Sequence, residues 1–187
     1  IATMDDSKKI LNKIEWREAA TGGLYMGVVY AALSIATRYL QANQQIVSVI
    51  SAISFFSVAG FLFAYASRMS RQYGVQGYTF FQSMRFILKM SMFAGVIAGI
   101  GMFIQNRIAP EIIQQQLEVM RDFYIDKGWD AQLIDQSVSM TERLMLNPLF
   151  VVFGGIGSMI LYGGLMGIIV SLFVRRRSPG SQTPFNN

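Results

Sequence analysis

The residues best suited to chemistry in this sequence are carboxylates, which act as general acids and bases when two of them face one substrate. Seven acids fall between Arg107 and Arg143. Their spacing is typical of a solvated helix face, and no base or serine arrangement accompanies them. We therefore expect no enzyme and assign no catalytic residue. The seven are Glu111, Glu118, Asp122, Asp126, Asp130, Asp135 and Glu142.

Two residue types that carry much of enzyme chemistry are missing. The chain has no histidine and no cysteine. A disulfide, a thiolate nucleophile, an imidazole base and any Cys/His metal site are excluded on composition alone. We expect neither a metal nor a cofactor.

The segments around the acids are those of a membrane protein. Only 14% of the 187 residues are charged, against about 25% in a typical soluble domain. Long apolar runs without charge indicate membrane-spanning helices. The sequence predicts a single domain over residues 1–187 with four spans and a disordered basic tail over 175–187. The predicted spans are about Ala19–Thr37, Ile46–Ser67, Phe86–Asn106 and Leu149–Val174.

Basic residues are unevenly distributed across the predicted membrane. Eleven Lys and Arg residues fall on the side of the two termini and five on the other. The positive-inside rule then places both termini in the cytoplasm. We expect a bacterial inner-membrane protein whose basic residues meet lipid headgroups, and no nucleic-acid partner.

The acidic stretch itself lies between spans 3 and 4, over about 108–147, and is therefore extracytoplasmic. Pro110 suits the first turn of a helix, Gly128 a C-terminal stop and Asp130 an N-cap. The predicted fold is an all-α membrane four-helix bundle with an extracytoplasmic helical hairpin. The hairpin either caps the bundle, lies on the bilayer or docks a partner. Its candidate contact residues are Phe123, Tyr124 and Trp129.

A basic loop joins spans 2 and 3 and contains no acid. We expect an interfacial helix that leads into span 3, with Lys89 reaching the interface, and a second in-plane helix before span 1. The loop serves topology and lipid anchoring, or contacts a partner. Its candidate contact residues are Arg68, Arg71, Arg85 and Lys89.

Small residues recur in the spans at spacings that let helix backbones approach closely. They serve packing within the bundle or contact with another chain. The candidate helix-packing residues are Gly23, Gly27, Gly60, Gly95, Gly99, Gly155, Gly163 and Gly167. A pore would need a polar stripe on one span. Three-residue spacing on span 2 drifts around an ideal helix, and the set on span 4 forms no better stripe; the two sets are Ser48, Ser51, Ser54 and Ser57, and Gly155, Ser158 and Tyr162.

The order of these features resembles a bacterial family of small four-span inner-membrane proteins known only as a domain of unknown function. The resemblance covers Glu18 to Arg177. It rests on "GYTFFQSMR" before span 3, on the Pro110–Glu111 start of "APEIIQQQLEVMRDFYIDKGWDAQLIDQ", and on the methionine-rich end of that insert. The resemblance implies four spans and no established activity or catalytic residue. It also implies a partner among membrane glycosyltransferases that use polyprenyl-phosphate sugars.

These observations predict a non-catalytic membrane protein that acts as an accessory or regulatory subunit of a larger membrane complex. One alternative is a homo-oligomeric channel or a lipid-handling protein. The other is an accessory to a polyprenyl-phosphate glycosyltransferase. Absence of carboxylates from the predicted spans argues against a transporter.

Overall fold

A computed structural model describes residues 4–40, 43–73 and 77–175. The predicted disordered tail falls outside these residues, apart from its first residue. Six α-helices make up the described part, which confirms the all-α prediction. They are α1 Met4–Tyr39, α2 Gln44–Tyr73, α3 Phe80–Ile108, α4 Pro110–Asp126, α5 Ala131–Leu146 and α6 Pro148–Val174.

Four of these helices, α1, α2, α3 and α6, are long and apolar enough to cross a membrane. The shortest of them, α6, has 27 residues. At 1.5 Å per residue that is about 40 Å, more than the roughly 30 Å of a hydrocarbon core. Large apolar side chains are exposed all around the bundle, among them Phe56, Phe153, Leu161 and Phe173. This is the surface expected of helices that contact lipid.

The first helix differs from the prediction. The prediction of a separate in-plane helix before span 1 is wrong, because α1 runs without a break from Met4 to Tyr39. Its 36 residues correspond to about 54 Å, so the charged N-terminal turns continue the axis of the span. Span 3 is also longer than predicted. It begins at Phe80 with a capping box. The backbone N–H of Gln82 donates to the Thr79 hydroxyl, and the backbone N–H of Thr79 donates to the Gln82 side-chain oxygen.

Helix α3 is the centre of the bundle, with α1 on one side and α6 on the other. Glycines permit both contacts. A Cβ atom placed on Gly95 would lie 2.5 Å from the Ile156 Cα, and one on Gly23 would lie 2.5 Å from the Met90 carbonyl oxygen. Backbones this close leave no room for side chains, so the packing specifies glycine.

Helix α2 packs along only part of its length. Its buried residues are Val58, Leu62, Ala66, Met69 and Ser70, and no residue from Gln44 to Ser57 is buried. The main apolar core lies accordingly around the second half of α2, the start of α3 and the end of α6. At the opposite end the first half of α2 is left largely uncovered.

Helices α4 and α5 form the hairpin predicted between spans 3 and 4. Proline at the first position starts α4, and the Asp130 carboxylate caps α5 by accepting from the Gln132 amide. Gly128 between them has φ +72°, a conformation that glycine adopts without strain. The hairpin buries only Ile113, Leu117 and Ile134, so it rests on the bundle through a small contact.

Candidate functional site

A buried carboxylate lies at the end of the bundle opposite the hairpin. Glu15 on α1 is 1% exposed and accepts hydrogen bonds from two helices. Lys89 Nζ donates to Oε1 at 2.8 Å, Arg85 Nη2 donates to Oε2 at 3.1 Å, and the Tyr73 hydroxyl donates to Oε2 at 3.3 Å. The Lys89 ammonium also lies 4.4 Å above the Trp16 ring. Two cations thus offset a charge that would be costly to bury alone, and one hydroxyl adds a hydrogen bond to it.

This cluster corrects two expectations. Span 1 is predicted to begin at Ala19, so the predicted spans contain no acid. In the structure Glu15 and Glu18 lie inside α1, and both are buried. Lys89 was expected to reach the interface, but it turns inward to Glu15 instead. A lysine in an apolar span requires a counter-charge. That requirement was the available signal for Glu15.

The other two basic-loop residues are both exposed, and one of them also pairs with an acid. Arg68 lies 3.4 Å from the second buried acid, Glu18, while Arg71 is exposed. Tyr78 is buried beside the cluster. Burial raises the pKa of its phenol, and the negative charge of Glu15 raises it further, so the hydroxyl stays protonated at neutral pH. Lys89, predicted as a partner contact, is thus engaged within the protein, whereas the Arg68 and Arg85 side chains each pair with a buried acid and stay 63% and 59% exposed.

The hairpin residues predicted as contacts lie together at its tip. The rings of Tyr124 and Trp129 stack with centroids 4.4 Å apart and an angle of 15°. Phe123 lies beside Tyr124, with centroids 5.9 Å apart. Phe123 is 56% exposed and Trp129 49% exposed. The tip therefore presents aromatic surface outside the four spans.

A polar cavity of about 500 Å³ lies between α1, α2 and α6, where the first half of α2 is uncovered. Seven hydroxyl groups and one guanidinium line it, together with Phe55 and Met159. Ser51, Ser54, Ser158 and Tyr162 from the two polar sets of spans 2 and 4 are thereby brought together on two helices. The remaining polar lining residues are Tyr30, Ser34, Thr37 and Arg38.

The serines of α2 and the polar residues of α6 were considered from the sequence, but the polar residues that α1 contributes to the cavity were not. The hydroxyls of Thr37, Ser158 and Tyr162 donate hydrogen bonds to backbone carbonyls. The Tyr162 hydroxyl donates to the Phe55 carbonyl oxygen at 3.4 Å. Phe55 and Tyr162 also contact edge to face at 5.9 Å between centroids. That contact joins α2 to α6 in the cavity wall. The spacing of Ser34 and Arg38, four residues apart on α1, was the signal that could have been used.

Arg38 connects the cavity to the hairpin. Its Nη1 donates to the Asn106 Oδ1 at 3.4 Å, and the Asn106 Nδ2 donates to the Met145 carbonyl at 3.1 Å. Asn106 is buried on α3, and Met145 lies in the last turn of α5. One hydrogen-bonded chain therefore runs from the cavity through α3 to the base of the hairpin.

The candidate packing glycines divide into two groups. Six would bring an added Cβ within 3.0 Å of another helix, and Gly167 has its nearest atom at 3.0 Å. Only Gly60 among the candidates has open space around it. The stripes are therefore occupied by contacts within this chain. The six are Gly23, Gly27, Gly95, Gly99, Gly155 and Gly163.

In the described part of the chain, no group of three or more His, Cys, Asp or Glu side chains is arranged to hold a metal ion. The hairpin acids lie on exposed faces, and Arg121 pairs with Asp135 at 2.6 Å. Such exposed pairs contribute little free energy. The cavity, by contrast, offers hydrogen bonds and one positive charge.

Comparison with known proteins gives one match. Residues 21–176 match the family described as "Protein of unknown function (DUF4199)", and the chain belongs to that family. No curated protein and no solved structure matches it. The resemblance to a domain of unknown function inferred from the sequence is confirmed.

Proposed function

We propose that this family member is a non-catalytic membrane protein that works as an accessory or regulatory subunit of a larger membrane complex. It sits in a bacterial inner membrane with both termini in the cytoplasm. The hairpin α4–α5 then lies outside the cytoplasm, where it meets the partner. The observation that carries this proposal is the exposed aromatic tip on an acidic hairpin.

The tip supports docking because aromatic residues dominate the binding energy of protein interfaces. Tyr124 and Trp129 hold each other in one orientation by stacking, so little side-chain entropy is lost on binding. Further apolar side chains on the hairpin are exposed, including Val119, Ile125, Leu133 and Met140. Such apolar surface outside the spans marks an interaction site.

Charge favours a protein over the bilayer as the occupant. From Arg107 to Arg143 there are seven acids and four bases, a net charge of −3. Anionic lipid headgroups repel this surface, whereas a partner with basic residues around an apolar centre complements it. The basic end of the bundle is a weaker docking surface because Lys89 is largely buried, and Glu18 and Glu15 offset the charges of the exposed Arg68 and Arg85.

Site-specific photo-crosslinking in the native membrane tests the proposal. A benzophenone amino acid replaces Phe123 at the tip, and in a matched control it replaces Gln115, which is exposed on the same helix. We expect a discrete adduct with one larger membrane protein from position 123 and none from 115. Adding Trp129→Ala removes the adduct.

Two results would overturn the proposal. An adduct of twice the chain's own mass would identify a homo-oligomer in place of a larger complex. Adducts with lipid alone, formed equally from both positions, would show that the hairpin lies on the bilayer.

A further inference from the structure

The cavity between α1, α2 and α6 contains polar groups that no described residue satisfies with a hydrogen bond. Tyr30, Ser34, Ser51 and Ser54 make no hydrogen bond with any described residue. Ser54 lies ten residues into α2, about 15 Å along its axis. That depth is inside the hydrocarbon layer of a spanning helix. Unsatisfied hydroxyls at such depth favour water or a polar ligand.

Arg38 gives the cavity its charge. It lies in the last turn of α1, and no carboxylate occurs among the described residues that line the cavity. Among the described residues its one hydrogen bond is donated to the neutral Asn106 side-chain amide oxygen at 3.4 Å. A guanidinium offers five donors and binds phosphate through two of them. Most of that capacity is unused here.

The basic residues at the other end of the bundle are already paired with a carboxylate. Arg85 and Lys89 lie beside an apolar groove lined by Trp16, Phe81 and Leu88. Both cations are within 3.1 Å of the Glu15 carboxylate. An anion bound there would have to compete with Glu15, whereas an anion at Arg38 would not.

Size and surroundings specify the ligand further. A volume of about 500 Å³ lies in the range of small-molecule sites, roughly 300–1,000 Å³. The half of α2 that borders the cavity has exposed apolar residues, Ile46, Val49 and Ile53. A cavity with hydroxyl and guanidinium groups in its lining, beside an exposed apolar stretch of helix, suits a molecule with both a polar head and an apolar chain.

From this geometry we infer that the cavity binds the phosphate-bearing, negatively charged headgroup of a membrane amphiphile, with Arg38 on the phosphate. The hydroxyls of Ser51, Ser54 and Ser34 hold the polar groups next to the phosphate, and the apolar chain leaves along the uncovered half of α2. The site is independent of the docking role proposed for the hairpin. Either can fail while the other stands.

Lipid binding to the purified full chain tests this inference. Phosphatidylglycerol or phosphatidylcholine is added to the protein in a mild detergent, and bound lipid is counted by native mass spectrometry. We expect phosphatidylglycerol to bind at least tenfold more tightly than phosphatidylcholine. Arg38→Gln lowers phosphatidylglycerol affinity at least tenfold. Arg107→Gln, which removes an exposed arginine from the same end of the bundle, changes it less than twofold.

A second variant keeps the test decisive if Arg38→Gln fails to fold. Ser54→Leu fills the cavity without removing charge and is expected to weaken phosphatidylglycerol binding to a similar degree. Inorganic phosphate, added as a competitor, separates two sources of the same chemistry. No displacement at millimolar phosphate identifies the lipid headgroup as the ligand, and displacement identifies free phosphate and overturns the lipid assignment.

The remaining outcomes oppose the inference. Equal affinity for the two lipids would show that headgroup charge is not recognised. Undiminished phosphatidylglycerol binding by folded Arg38→Gln and Ser54→Leu would place the lipid elsewhere on the bundle and leave this cavity to water.

Discussion

Among single residues, Glu15 joins three helices at one end of the bundle. Its carboxylate on α1 accepts from Tyr73 on α2 and from Arg85 and Lys89 on α3. The Lys89 side chain is 14% exposed. It therefore depends on Glu15 for its counter-charge and cannot recover that interaction from water.

Replacing Glu15 by glutamine should destabilise the protein strongly. The amide keeps the shape but leaves the Lys89 charge buried without a counter-charge. Breaking such a pair costs about 3 kcal/mol or more. We expect a clear fall in the thermal unfolding midpoint in detergent, followed by tryptophan fluorescence.

The control is Glu142→Gln, at an exposed acid with no ion pair among the described residues. Its effect should stay within about 0.5 kcal/mol, as for most surface changes. Equal shifts in the two variants would contradict the assigned role of Glu15.

Single residues were only partly predictable from the sequence. Lys89 was recognised as anomalous in its span, but Glu15 was placed outside the membrane because charged neighbours surround it. Burial of Glu15 depends on Tyr73 and Arg85, which are 58 and 70 residues away. Local patterns carry no information about partners at that distance.

At the scale of the helices, close contact between α3 and α6 determines the shape of the bundle. A Cβ on Gly95 would lie 2.9 Å from the Gly155 carbonyl oxygen, as well as against Ile156. Backbone atoms cannot move aside as a flexible side chain can. We expect Gly95→Ala to cost about 1–3 kcal/mol, the usual range for overpacking, measured by thermal unfolding.

Gly154 provides the matched control on the facing helix. Nothing lies within 4 Å of a Cβ added there. Alanine is the better helix former by about 1 kcal/mol, so Gly154→Ala should leave stability unchanged or raise it. Destabilisation by Gly154→Ala that equals that of Gly95→Ala would show that the α3–α6 contact is not the cause.

The turn of the hairpin is a second test at this scale. Gly128 has φ +72°, so Gly128→Ala places a Cβ in the left-handed region at a cost of about 1 kcal/mol. We expect faster amide hydrogen exchange in α4 and α5, while exchange in α3 and α6 stays unchanged. Faster exchange spread evenly over all four helices would contradict a locally stabilised hairpin.

Helix boundaries and turns were more predictable than the contacts of single side chains. Pro110, Gly128 and Asp130 marked the hairpin correctly because capping and turn chemistry is local. The continuity of α1 was missed because its charged turns indicated a helix lying in the plane of the membrane. Tertiary contacts keep those turns on the axis of the span, because Glu15 and Glu18 form ion pairs with cations on α3 and α2.

Across the whole molecule, the two ends of the bundle differ in structure. One end has the apolar core and the ion pairs of Glu15 and Glu18. At the other end α2 is largely uncovered, the cavity lies beside Arg38, and the hairpin begins after α3. The covered end is therefore closely packed, and the open end presents the cavity and the hairpin.

Some residues that line the cavity left a signal in the sequence, but the cavity itself could not be predicted from it. Serines at three-residue spacing drift around a helix, so their pattern did not define a face. The cavity forms because the second half of α2 packs and the first half does not. That difference depends on which residues of α1 and α6 face α2.

In the proposed orientation the two ends of the bundle face different compartments, and cysteine labelling measures this directly. The chain has no cysteine, so Gln136→Cys on the hairpin and Gln72→Cys at the opposite end each introduce one. Both positions are exposed glutamines. In intact cells, a membrane-impermeant maleimide should label position 136 but label position 72 only after the inner membrane is permeabilised. Labelling of both from outside, or of position 72 alone, would contradict the proposed orientation and the docking role built on it.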